Sequence, residues 1–204
     1  RDPLWERLVE PLGVACIDAR SRGFIGNPFA PADVKFHGGW GYSRRELDGY
    51  SLKAFALAHC GFRQALFLDA DNNPARDPSE VFDWPEFRGS GLVLWPDAPN
   101  CPAAPRLDVF GLAETHTAEK VNGIETGQIV ADKTRLHVWS ALSLAVWFNE
   151  HAQPFYTASW GDKDTFQTSA RWADFEPAIV PHVGELLGSG VIRHADFAGQ
   201  PFLF

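Results

Sequence analysis

The stretch LKAFALAHCGFRQALFLDADNNPARDPSE, residues 52–80, constrains the chain more than any other. Its first part carries apolar residues at helical spacing, with Leu52, Phe55, Ala56 and His59 on one face of a helix expected from about Arg45 to Cys60. Gly61 reads as the stop of that helix. The run QALFL then follows, too short for another helix and apolar enough for a buried strand. Directly behind it stand Asp69, Asp71, Asn72, Asn73, Asp77 and Glu80. A helix, a strand, then polar groups where the strand ends is the order of an open α/β sheet, which binds ligands at the carboxyl ends of its strands.

The remaining chain continues that alternation. SGLVLWPD (90–97) reads as a second strand closed by a proline, and residues 98–126 as a long polar loop over the site. GQIVADKTRLHVWSALSLAVWFNE (127–150) reads as the longest helix, with Leu136, Trp139, Leu142 and Val146 near one face. WGDKDTFQTSARWADF reads as a helix with an acidic start, and AIVPHV and GVIRHAD as closing strands. Nearer the start, GVACID (13–18) is a short β-compatible run, and the Gly- and Pro-rich residues 22–43 an irregular loop. Strands alternating with helices imply an α/β sheet with some antiparallel members towards the end. A chain of 204 residues fits one domain.

Charge and cysteine usage remove several classes. A net charge of -8 argues against a nucleic-acid footprint, which needs a basic face. Cys16, Cys60 and Cys101 form no C-x-x-C pair, so they read as buried free thiols rather than a disulfide or zinc framework. No apolar run is long enough to span a membrane, no signal peptide is evident, and the compartment is left open. The chain has no methionine even at position 1, so it is expected to be processed or partial.

Several polar clusters carry chemistry. Asp69 and Asp71, two apart after a strand, let both carboxylates lean towards one ligand, and a hard cation such as Mg²⁺ or Mn²⁺ wants few protein oxygens with phosphate or water completing its shell. The same residues also favour an ordinary turn. Asp69, Asp71, Asn73, Asp77 and Glu80 match positions 1, 3, 5, 9 and 12 of an EF-hand loop. Pro74 at position 6 opposes that reading, because its fixed φ cannot replace the turn glycine. There is no G-x-S-x-G elbow, no dinucleotide fingerprint and no Walker A sequence. Glu125, Gln128, Asp132 and Lys133 stand at the expected entry of the long helix, where polar side chains suit sugar hydroxyls or simple capping. Asp162, Lys163 and Asp164 precede a helix, which capping alone would explain, and His194 ends a short strand.

The order of these strings is more specific than any one of them. YSLKAFAL, LFLDADN, DPSEVFDWPEF, GLVLWPD, IETGQIVADK and GDKDTF together resemble the fungal-type α-mannosyltransferases that extend mannan side chains from GDP-mannose. The resemblance runs from about Tyr50 to Phe166, with a weaker tail to Phe204. It implies a retaining transferase with the GT-A (Rossmann-like) nucleotide-diphospho-sugar fold, a sheet flanked by helices. It further implies one such domain over 1–204, short of an N-terminal strand–helix unit that helps bind the nucleotide base.

By that resemblance Asp69 and Asp71 are the D-x-D holding Mn²⁺ (or Mg²⁺) and the diphosphate, and His194 is a third metal ligand. Lys53, Asn72, Gln128, Lys133, Gly161 and Lys163 face the donor. Glu125, Asp162 and Asp164 line the sugar cleft, with Glu125 or Asp162 as nucleophile if the mechanism is covalent rather than front-face. The partners implied are a nucleotide sugar (GDP-mannose or a UDP-hexose) and a glycan acceptor. A sugar-binding module without turnover is the competing class.

Overall fold

The computed structural model describes residues 49–99, 123–156, 161–188 and 190–204. The GVACID run, the 22–43 loop, Cys16, Cys101, most of the 98–126 loop and any N-terminal base-binding unit lie outside these residues. The described chain is a mixed α/β structure. A single 3₁₀ turn, Gly49–Ser51, leads into α1 (Leu52–His59). Next come β1 (Gln64–Leu68), a 3₁₀ segment (Pro78–Asp83), α2 (Pro85–Ser90) and β2 (Leu92–Pro96). β3 (Ile124–Asp132), α3 (Leu136–Glu150), α4 (Ala152–Tyr156) and α5 (Lys163–Trp172) follow. The chain closes with β4 (Ala178–Ile179), β5 (Glu185–Leu186), β6 (Ile192–Ala195) and β7 (Pro201–Leu203).

The main sheet has the order β1-β3-β2-β4, and β5-β6-β7 form a second, antiparallel sheet. β3 lies antiparallel between β1 and β2, whereas β4 joins β2 in parallel. β2 and β3 are buried on both faces. Leu92, Leu94, Ile129 and Ala131 join the core formed with α1, α3 and α5. Val93, Trp95 and Val130 point the other way, into a core closed by Val81, Phe87, Phe202 and Leu203. Successive side chains of a strand face opposite sides, so a strand covered on both reads as continuously apolar.

Three expectations are corrected here. Residues 124–132 are a strand, not the entry of the long helix, because Ile129 and Val130 fill opposite cores at 0% exposure. The buried face of α1 is Ala54, Leu57 and Ala58, while Ala56 and His59 are exposed. Alanines on α1 meet Ala141 and Ala145 in the core shared with α3, and small residues let the two helices approach closely. On α3, Leu136 (78%) and Trp139 (41%) are exposed, and Val138, Ala141, Ala145 and Phe148 join Leu142 and Val146 inside.

α1 also ends differently. Cys60 turns extended (ψ 151), and the Lys133 ammonium takes the Ala58 carbonyl at 3.1 Å and the Cys60 carbonyl at 2.5 Å. A cation on the last carbonyls of a helix satisfies acceptors that have no partner within the helix. Cys60 is a free, half-buried thiol.

Candidate active site

β1 and β2 both run antiparallel to β3, so their C-terminal ends and the N-terminal end of β3 meet at one edge of the sheet. The acidic loop leaves β1 at this edge. Asp69 donates its backbone N–H to the Gly127 carbonyl at 2.7 Å. Asn72 clamps the turn to β3, its Nδ2 donating to the Gly127 carbonyl (2.7 Å) and to Gln128 Oε1 (3.0 Å). Only glycine fits easily at 127, since a Cβ there would lie 3.2 Å from Asn72 Nδ2 and 3.4 Å from Glu125 Oε1. The loop is therefore braced, not a free turn. It is not an EF-hand either: a strand precedes it, and Asp77 caps the following 3₁₀ segment by accepting from the Ser79 N–H at 2.9 Å.

Lys53, on the first turn of α1, places its Nζ 2.6 Å from Asp69 Oδ2 and 3.4 Å from the Thr126 carbonyl. The two side chains line a cavity of about 630 Å³ with Tyr50, Leu52, Ala56, Phe67, Ala70 and Asp71. Asp71 is exposed. Its lining combines apolar and aromatic residues with one cation and two carboxylates.

Next to it lies a second pair of carboxylates. Glu125 Oε1 folds back to accept the N–H groups of Thr126 (2.8 Å) and Gly127 (2.7 Å), which fixes the orientation of its carboxylate. Asp162 precedes α5 but its side chain caps no helix N–H; its Oδ2 accepts from Thr126 Oγ1 at 3.4 Å instead. The capping explanation for this residue is thus not realised. Gly161, at φ 100, turns the chain into position in a conformation that favours glycine. Burial pushes the Asp162 carboxyl up to about 6; the Lys53 charge opposes this and the Glu125 charge adds to it.

A third cluster sits at the end of β2. Asp97 is buried, accepts from Lys163 Nζ at 2.6 Å and from the Ala98 N–H at 2.7 Å. His194, also buried, faces the charge of Asp97, while burial holds its pKa below the usual histidine value. Its Nδ1 has no hydrogen-bond partner among the described residues.

The structure therefore brings Lys53, Asp69, Asp71, Asn72, Glu125, Gln128 and Asp162 to one edge of the sheet. Gln128 is fully buried there, and its Nε2 has no hydrogen-bond partner among the described residues. Asp164 is buried in the first turn of α5. Lys163 and His194 belong to the Asp97 cluster instead. Lys133 is a correction: it follows the opposite end of β3, where Asp132 pairs with Gln64, and it braces α1 rather than facing a donor. Among the described residues no three His, Cys, Asp or Glu groups converge closely enough to hold a metal ion, so His194 does not join Asp69 and Asp71. The Asp69–Asp71 pair alone still suits a hard cation that takes most of its ligands from phosphate and water, because Asp69 Oδ1 and the Asp71 carboxylate accept no hydrogen bond among the described residues. Sequence reasoning missed Asp97 and Thr126. Asp97 follows LVLWP as Asp69 follows QALFL, so the rule that found one could have found the other. Thr126 gave no such signal.

Residues 29–123 match a family described as "Mannosyltransferase putative". Among curated proteins, the chain is 34% identical over 135 residues to alpha-1,2-mannosyltransferase MNN21 of Candida albicans, covering 66% of this chain and 19% of that protein. It is 27% identical over 166 residues to MNN24 of the same organism (63% of this chain, 23% of that protein). It is 26% identical over 179 residues to alpha-1,2-mannosyltransferase MNN5 of Saccharomyces cerevisiae (61% and 30%). The matched region is thus well under half the length of these relatives. Among the described residues no helix is long and apolar enough to cross a membrane. With the acidic edge described above, these similarities support placing the chain in a fungal mannosyltransferase family.

Proposed function

We propose that this chain forms the donor-binding part of a retaining, GT-A-type glycosyltransferase that moves mannose from GDP-mannose to a hydroxyl of a glycan. The observation that carries this reading is the union of a cation and two carboxylates on one cavity with two further carboxylates beside it. In this reading Lys53, paired with Asp69, lies against the diphosphate and offsets the charge that develops as it leaves. In this reading Glu125 and Asp162 face the sugar, which becomes oxocarbenium-like as the anomeric bond breaks. Asp162 is well suited to that task, because a desolvated carboxylate interacts strongly with a nearby positive charge. Either Glu125 or Asp162 could serve as nucleophile, or the acceptor could attack from the front face.

Mn²⁺ or Mg²⁺ would be held by Asp69 and Asp71 together with phosphate oxygens and water, and when bound it would offset charge on the diphosphate. Calorimetry with metal alone, GDP alone and both together tests this, with weak metal binding that strengthens with GDP as the expected result. Tight Ca²⁺ binding without nucleotide would refute it. The transfer reading is tested by nucleotide release from GDP-mannose against UDP-hexoses. Saturable sugar binding with no release from any donor would make the chain a binding module instead.

A further inference from the structure

A second recess lies on the other face of the main sheet, about 300 Å³ in volume and lined by Trp84, Glu86, Asp196, Phe197 and Ala198. We propose that it holds one sugar residue of the glycan acceptor, which rests on the transferase reading of the chain. Its walls are built rather than accidental. Trp84 is fixed by Phe202 (5.0 Å between ring centres), Trp95 (5.9 Å) and Phe197, which meets it edge-on at 87°. Trp95 is itself anchored by its indole N–H on the Ala195 carbonyl at 2.8 Å. The turn after β6 is equally set, because Asp196 accepts from Arg76 Nη2 (2.6 Å) and from the N–H groups of Ala198 and Gln200 (2.8 Å each).

Asp196 is therefore satisfied within the protein, and Arg76 offsets its charge. Glu86 is different: it stands in the first turn of α2, lines the recess, and has no hydrogen bond or ion pair among the described residues. Aromatic walls with one free acceptor match a pyranose, whose apolar C–H face packs on rings while its hydroxyls donate to a carboxylate. A phosphorylated ligand would meet repulsion from Glu86, and a cation would find only one uncompensated charge. The volume is at the small end of ligand sites, of roughly 300–1,000 Å³, and too small for a nucleotide sugar.

Position supports the same occupant. The loop that starts with Asp69 and Asp71 at the donor cavity reaches this recess through Arg76, and Asn73 and Ala75 donate to the Phe204 and Phe202 carbonyls (2.7 and 2.9 Å). Asp71 and Arg76 are separated by at most roughly 17 Å of extended chain, within reach of a short oligosaccharide.

The test is binding of mannose and mannotetraose, followed by tryptophan fluorescence and NMR, to the full chain and to Glu86→Gln and Phe197→Ala variants. Mannotetraose is expected to bind, and Glu86→Gln to weaken it roughly tenfold by replacing a charged acceptor with a neutral one. Phe197→Ala should weaken it further, and calorimetry should find GDP affinity unchanged in both variants. Equal mannotetraose affinity in both variants and the parent would overturn the proposal, as would displacement of mannotetraose by tetramethylammonium. Mannotetraose binding that depends on Glu86 without any nucleotide release would retain the recess as a sugar site and refute the transferase reading alone. Release of nucleotide with no mannotetraose binding would do the reverse.

Discussion

Replacing Asp162 by asparagine should make the protein more stable at neutral and alkaline pH, and the gain should vanish in acid. Asp162 is 8% exposed, and its carboxyl is raised from 3.8 to about 6 by burial first, with Lys53 opposing and Glu125 adding. A folded-state value above the unfolded one means that the native state holds the proton more tightly. Its contribution is therefore most favourable below 3.8 and is lost as pH rises through about 6. A shift of this size corresponds to roughly 3 kcal/mol when the group is fully ionised. Asparagine has the shape of the protonated acid and keeps an oxygen for Thr126 Oγ1, so it avoids the cost of burying a charge. Urea unfolding of both proteins from pH 5 to pH 8 should show the gap in favour of Asp162→Asn widening by roughly 1.5 kcal/mol. Other titrating groups are common to both proteins and drop out of the difference. A gap that stays flat, or narrows as pH rises, would refute the reasoning that Asp162 is a desolvated carboxylate.

The same substitution should slow sugar transfer while leaving GDP affinity nearly intact, which nucleotide release and calorimetry separate. Asp71→Ala should lower nucleotide release roughly a thousandfold or more, whereas Asp77→Ala, at an exposed carboxylate that accepts from Ser79, should leave it unchanged. Lys133→Met should destabilise the fold by roughly 1–3 kcal/mol in urea by leaving the α1 carbonyls without their donor, with no effect on GDP affinity. Gly184→Ala should cost roughly 1–3 kcal/mol, because the new Cβ would lie 2.8 Å from Ile192 Cγ2 and 3.2 Å from His194 Cε1; an unchanged midpoint would mean that the packing around His194 can give.

Composition and local order determined a good part of this protein. β1, β2, β6 and α5 were legible, because short apolar runs bounded by Gly, Pro or Asp leave few alternatives, and so was the acidic loop at the end of β1. β3 was not legible. Buried on both faces between β1 and β2, it has no alternation to detect, and no proline or glycine separates QIVAD from α3, so the two merged into one expected helix. The face of α1 was misread because alanine carries little hydrophobic signal, although close packing on α3 makes Ala54 and Ala58 the buried positions. Tertiary structure alone decided the partners of the charges. Lys133 and Lys53 look equivalent along the sequence, yet β3 carries one to the C-terminal end of α1 and the antiparallel pairing sets the other beside Asp69. Asp97, Lys163 and His194 come from three distant segments and meet only because the β6–β7 hairpin folds over the end of β2. A sequence fixes which side chains can ionise, but how strongly each holds its proton depends on water excluded by residues far along the chain, as burial does at Asp162.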